Sequence, residues 1–181
     1  GVTLSFNSDQ ETRIDGSGMI YFANQGSSVI SVPSGGILRL GPELTVRGYG
    51  GQFFGSGVLL NEGSLISDMT GTINLSMSAG WTNLGRVATT GPGDLTSSAP
   101  LENSGTVAPG IDTTLEAAGG YTQSATGTLE IPMNSSGNGL LTVAGDAEID
   151  GALEIDRDPD YDPPIGARLT ILTCDTRTGA F

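Results

Sequence analysis

Three spaced tripeptides restrict this chain more than anything else in it: Asn61-Glu62-Gly63, Asn83-Leu84-Gly85 and Asn103-Ser104-Gly105, with an earlier echo at Asn24-Gln25-Gly26. Asn61 lies 22 residues before Asn83, Asn83 lies 20 before Asn103, and Asn24 lies 37 before Asn61, close to two such steps. A period near 20 is the length of one coil of a solenoid. Asn and Gly visit the left-handed backbone region at low steric cost, so Asn-x-Gly is expected to turn the chain sharply between short strands. Stacked coils would also bring equivalent Asn amides together as a hydrogen-bonded ladder. The predicted corner residues are therefore Asn24, Gly26, Asn61, Gly63, Asn83, Gly85, Asn103 and Gly105.

Strand signals surround these corners. Val2-Thr3-Leu4-Ser5-Phe6 alternates apolar and polar residues, and Ile37 to Leu40 and Leu44 to Arg47 are short apolar-rich runs punctuated by Gly and Pro. Helical periodicity is nearly absent, so the residues alone admit an all-β solenoid, sandwich or barrel, and the repeat selects the solenoid. One coil cannot bury its own apolar face, so the core must come from stacking. Gly48 to Gly57 has no Gly-Lys-Ser/Thr ending and reads as a glycine-rich corner or bulge with Phe53 and Phe54 packed. Residues 1–110 are expected to form stacked coils. After Pro109-Gly110 the pattern changes, and residues 111–181 are expected to form a capping β-meander continuous with the stack.

The charge balance excludes several partners. All seven basic residues are Arg, the chain has no His, and net charge is −13, which repels a nucleic-acid backbone or an anionic membrane surface. No apolar run approaches the about 20 residues of a membrane helix, so no membrane insertion is expected. Residue 1 does not open a signal peptide, and the chain reads as a mature protein or a piece of a longer one. Cys174, the single cysteine, excludes an intrachain disulfide and reads as a small buried hydrophobe.

The segment Asn103 to Gly110, then Thr114-Leu115, Gly120 to Gln123 and Gly127 to Ile131, resembles the C-terminal part of bacterial autotransporter-like passenger domains. Leu141 to Leu153, Gly166 to Thr173 and Thr178 to Phe181 continue the likeness, which covers about residues 101–181 well and 55–100 loosely. The resemblance implies a right-handed parallel β-helix in a secreted or surface-displayed bacterial protein. It implies an adhesin or other surface filament, with other copies, neighbouring surface-protein domains and glycans as partners.

Asp156, Asp158, Asp160 and Asp162 alternate in a proline-bounded run and are candidate Ca²⁺ ligands, since clustered carboxylate oxygens suit that ion. An EF-hand would need Gly at Tyr161 and Glu at Ala167, so the alternative is a solvated acidic loop. No other cofactor is expected. Without His or Lys, proton transfer would fall to Asp, Glu or Tyr, and an anionic polyuronate would meet a strongly acidic chain. No compact catalytic set is visible, so the expectation is a non-catalytic structural or adhesive module. The alternatives are a self-assembling subunit of an extracellular filament or sheath and a glycan-active β-helix enzyme. Asn7 to Asp15 reads as a solvated loop, an N-terminal cap or an arm for a neighbouring subunit.

Overall fold

The structure, a computed structural model, describes residues 2–6, 9–23 and 28–181. It is all-β among those residues, and its strands follow one another in threes. The first coil holds β1 (Thr3–Ser5), β2 (Glu11–Ile14) and β3 (Gly18–Phe22). The second holds β4 (Val29–Val32), β5 (Ile37–Leu40) and β6 (Leu44–Gly48), and the third β7 (Gly51–Gly55), β8 (Val58–Asn61) and β9 (Ser64–Ser67). Next come β10 (Gly71–Met77), β11 (Trp81–Asn83) and β12 (Arg86–Thr89), then β13 (Gly93–Ser97), β14 (Leu101–Asn103) and β15 (Thr106–Ala108). The sixth coil is β16 (Leu115–Ala117), β17 (Tyr121–Gln123) and β18 (Thr128–Asn134), followed by a short return strand, β19 (Gly137–Asn138). Last are β20 (Leu141–Val143), β21 (Asp146–Ile149) and β22 (Ala152–Arg157), and a partial coil of β23 (Leu172–Thr173) and β24 (Thr176–Gly179).

Strands at equivalent places in successive coils pair in parallel, which builds three sheets running along the stack. The first sheet runs β1-β4-β7-β10-β13-β16-β20-β23 and the second β2-β5-β8-β11-β14-β17-β21-β24. The third runs β3-β6-β9-β12-β15-β18, with β22 added on β18. This is a parallel β-solenoid. The winding does not yield to a meander after Gly110: β16, β17, β20, β21, β22, β23 and β24 all pair in parallel with the coil before them. Only β19 runs antiparallel, folding back on the end of β18. The meander was expected because longer corners interrupt the period there, while the pairing beneath them continues.

Alternation along each strand sends every second side chain inward, and the register stacks these into columns. Leu38, Leu59, Trp81, Leu101, Tyr121 and Ala147 form one column in the second sheet. Val46, Leu65, Val87, Val107 and Leu129 form another in the third. All of these are buried, and each buried Leu or aromatic contributes about 1.5–3 kcal/mol relative to exposure. The Trp81 indole N–H donates to Ser97 Oγ at 2.8 Å, so the largest core side chain carries no orphaned donor.

The glycine-rich stretch is a strand flanked by corners. Gly48, Gly50 and Gly55 have φ of 138°, 122° and 137°. Only Phe53 packs inside, edge-to-face on Phe22 at 6.0 Å; Phe54 alternates outward and is exposed. Cys174 is half-buried beneath the last strands rather than sealed in the core.

Candidate functional site

Three of the predicted corner residues, all asparagines, come together on neighbouring strands. Asn61, Asn83 and Asn103 are in register on β8, β11 and β14, and Gln123 on β17 takes the next place. All four side chains are buried. Asn61 Nδ2 donates to Asn83 Oδ1 at 2.8 Å, and Asn83 Nδ2 donates to Asn103 Oδ1 at 2.8 Å. Asn103 Nδ2 reaches Tyr121 OH at 3.2 Å and Gln123 Oε1 at 3.4 Å, and Tyr121 OH donates to Gln123 Oε1 at 2.6 Å. Burial pushes the Tyr121 hydroxyl above the ordinary tyrosine range, so it serves here as a neutral donor. Gln123 Nε2 closes the series on the Asp150 carbonyl at 2.7 Å. At the other end Leu40 occupies the column and Asn61 Oδ1 has no partner.

The corners turn for a different reason from the one expected. Among the described residues, Asp112 is the only non-glycine with positive φ, and Gly63, Gly85 and Gly105 do not have it. Those glycines are required by contact: a Cβ on Gly85 would lie 2.1 Å from the Gly63 carbonyl oxygen, and one on Gly105 2.1 Å from that of Gly85. Coils approach so closely at this edge that no side chain fits. Asn24 and Gly26, together with Asn7 and Ser8 of the N-terminal polar run, lie outside the described residues.

The acidic run does not gather its carboxylates. Asp156 lies in β22, which ends at Arg157, after which the Asp160 amide donates to Asp158 Oδ1 at 2.9 Å and the Tyr161 amide to the Asp158 carbonyl at 3.0 Å. This turn breaks the extended geometry that would have put Asp156, Asp158, Asp160 and Asp162 on one side. Among the described residues no three Asp, Glu, Cys or His side chains are grouped as a metal ion requires.

A groove lies where the third sheet turns into the first. Corners there are tight early in the stack, from Gly48 to Gly51, Ser67 to Gly71 and Thr89 to Gly93. Later they open out, from Ala108 to Leu115, Asn134 to Leu141 and Arg157 to Leu172. The β18–β19 hairpin is capped by Asn134 Oδ1, which accepts from the Ser136 amide at 2.8 Å, and Asn138 Nδ2 donates to the Thr170 carbonyl at 2.8 Å. Two successive insertions are thus tied together as walls.

Along β12, β15, β18 and β22 and the corners that leave them lie two adjoining concavities of about 350 and 360 Å³, which share Ile111, Pro132 and Asp156. The floor of the first includes Ala108 and Gly110, and along its side Arg86 forks onto Glu130 with both bonds at 2.7 Å. The buried Thr89 hydroxyl accepts from the Gly110 amide at 2.8 Å and is hydrogen-bonded to the Thr113 hydroxyl at 2.7 Å, which anchors the corner after β15. The Arg86 guanidinium holds the Glu130 carboxyl below the usual carboxylate range. Glu130, with Glu154 and Asp156 nearby, raises Arg86 in turn. Arg86 and Glu130 are 44 residues apart, and no sequence pattern announces their meeting.

No family model, curated protein or solved structure matches this chain.

Proposed function

We propose that the chain is a non-catalytic structural or adhesive module of a secreted bacterial surface protein. The observation that carries this reading is the uninterrupted three-sheet stack with a buried amide ladder. Eight strands in a sheet, spaced by about 4.8 Å, give a rod about 34 Å long. Such a stack offers stiffness and long side faces.

Electrostatics favours the same reading. Arg39 bridges Glu11 and Glu62, Arg13 reaches Glu62, Arg47 pairs with Asp68, and Arg86 pairs with Glu130. These arginines tie one coil to another. Glu130, the carboxylate in the groove, is held ionised by Arg86, which opposes its use as a general acid near neutral pH. Extracellular placement is part of the proposal and is motivated by the resemblance of residues 101–181.

Beads carrying the purified chain test it: they adhere under flow to at least one of a panel of cell and glycan-coated surfaces, leaving the coating intact. Release of soluble fragments from a polysaccharide panel, or no adhesion to any surface, would overturn it.

A second reading, head-to-tail assembly into a filament, is favoured by apolar side chains exposed at both ends. Val2, Leu4, Met19 and Tyr21 belong to the first coil, and Leu169 and Phe181 to the last segment. The two ends differ, so their association would be open-ended. Against it, Arg177 pairs in register with Ala147, which puts a cation in a core-facing column of the last strand. A charge there blunts a sheet edge. Sedimentation velocity separates the readings: a single concentration-independent species fits the module, and growing species fit the filament.

A further inference from the structure

We infer that the groove between the third and first sheets binds an uncharged saccharide chain. The inference deepens the adhesive reading and rests on it, by naming a ligand class and a site.

Four observations converge on this flank. In stacked repeats, insertions that fall at equivalent corners commonly build the binding face, and here the three longest described corners between these sheets follow one another. These corners are tied down, the first by Thr89 to Gly110 and Thr113, and the other two to each other by Asn138 to the Thr170 carbonyl. The wall between Gly110 and Thr113 also contains Asp112, held at a φ of 57°. The concavities adjoin, so the space suits a chain rather than a compact molecule.

The chemistry of the lining selects the ligand. Its charges are largely compensated: Arg86 is forked onto Glu130, and Arg157, which donates to the Tyr161 carbonyl, stands beside Asp156 and Asp158 in the lining. The Arg86–Glu130 pair, and opposite charges at Arg157, Asp156 and Asp158, offer donors and acceptors to vicinal hydroxyls without a strong net field. Ile111, Pro132, Met133 and Pro159 supply apolar surface for the C–H faces of sugar rings. A polyuronate or nucleic acid is disfavoured by the net charge of −13. Along β12, β15 and β18 the strands are already paired on both sides, so an extended peptide could add to the third sheet only at the outer edge of β22, and a bound hexalysine strand is the competing outcome of the test below.

Calorimetry with hexasaccharides of β-linked glucose, xylose and N-acetylglucosamine and of α-linked mannose, with a hexalysine peptide alongside, tests the assignment. Thr90 is exposed at the groove rim, so Thr90→Trp fills the space without touching the core, and Asp156→Ala removes an exposed acceptor. At least one saccharide is expected to bind, with affinity falling tenfold or more in both variants while their melting temperatures match the parent. Binding that ignores both variants, binding of hexalysine alone, or no saccharide binding would overturn the groove assignment. Bead adhesion that persists in Thr90→Trp would sink the groove and leave the adhesive reading standing; loss of all adhesion by the parent chain would sink the reading itself.

Discussion

The Asn83 side chain is engaged on both sides of the ladder: it accepts from Asn61 and donates to Asn103, to the Gly85 carbonyl at 3.2 Å and to the Thr106 carbonyl at 3.0 Å. Asn83→Ala leaves Asn103 Oδ1 without its donor in a dry interior, at a cost of about 2–3 kcal/mol. For a chain of this size that is a fall in melting temperature of about 5–10 °C by calorimetry. The adjacent glycines yield a sharper contrast. Gly85→Ala drives a Cβ to 2.1 Å from a carbonyl oxygen of the previous coil and is expected to cost about 3 kcal/mol or more. Gly18→Ala meets nothing within 4 Å and is expected to be neutral. If backbone conformation rather than contact made Gly85 necessary, Gly85→Asn would be tolerated, and it is expected to fail like Gly85→Ala. Asn-x-Gly was legible because both residue types recur at one spacing. Its mechanism was not, because the space between two coils is a property of neighbours 20 residues away. Gln123 was missed as the ladder's fourth member because a longer amide hides the repeat.

Glu130 adds a pH dependence at the same scale. Its folded carboxyl titrates below the reference value of 4.5, so the ion pair's contribution is complete above that value and is lost as pH falls through the lowered one. Arg86 remains 39% exposed, which keeps the contribution to about 1 kcal/mol or less. Denaturant melts of Glu130→Gln should therefore show a deficit at pH 7 that shrinks towards pH 3. A deficit unchanged across that range would locate the effect in packing instead.

Among elements, corners vary and strands do not. The segment between Arg157 and Leu172 is largely exposed, and β22 and β23 are placed by their pairing with β18 and β20 rather than by this loop. Replacing residues 158–170 with a short glycine-proline corner like Thr90 to Pro92 is expected to shift the melting temperature by no more than about 5 °C, since loop length costs little entropy. Collapse of the fold on that replacement would mean that the loop holds the last coil in place. These insertions also explain why the sequence suggested a meander after Gly110. Tyr121, Ala147 and Arg177 share one column, yet their spacing is no longer near 20. A period stretched by insertions escapes a search for fixed spacing, whereas Asn61, Asn83 and Asn103 sit where the corners are uniform.

At the scale of the molecule the chain is one stack, and the position of a residue along it follows from its coil number rather than from sequence distance. Leu60, Thr82, Glu102, Thr122, Glu148 and Thr178 form an outward column on the second sheet. Spin labels at Leu60 and Glu148, four spacings apart, should give a distance near 19 Å, and labels at Leu60 and Thr178 one near 24 Å, at about 4.8 Å per strand. A step of one strand spacing between the two pairs is the result predicted for coils that continue past Gly110 to the end of the stack. A broad distribution, or a second distance no longer than the first, would contradict it.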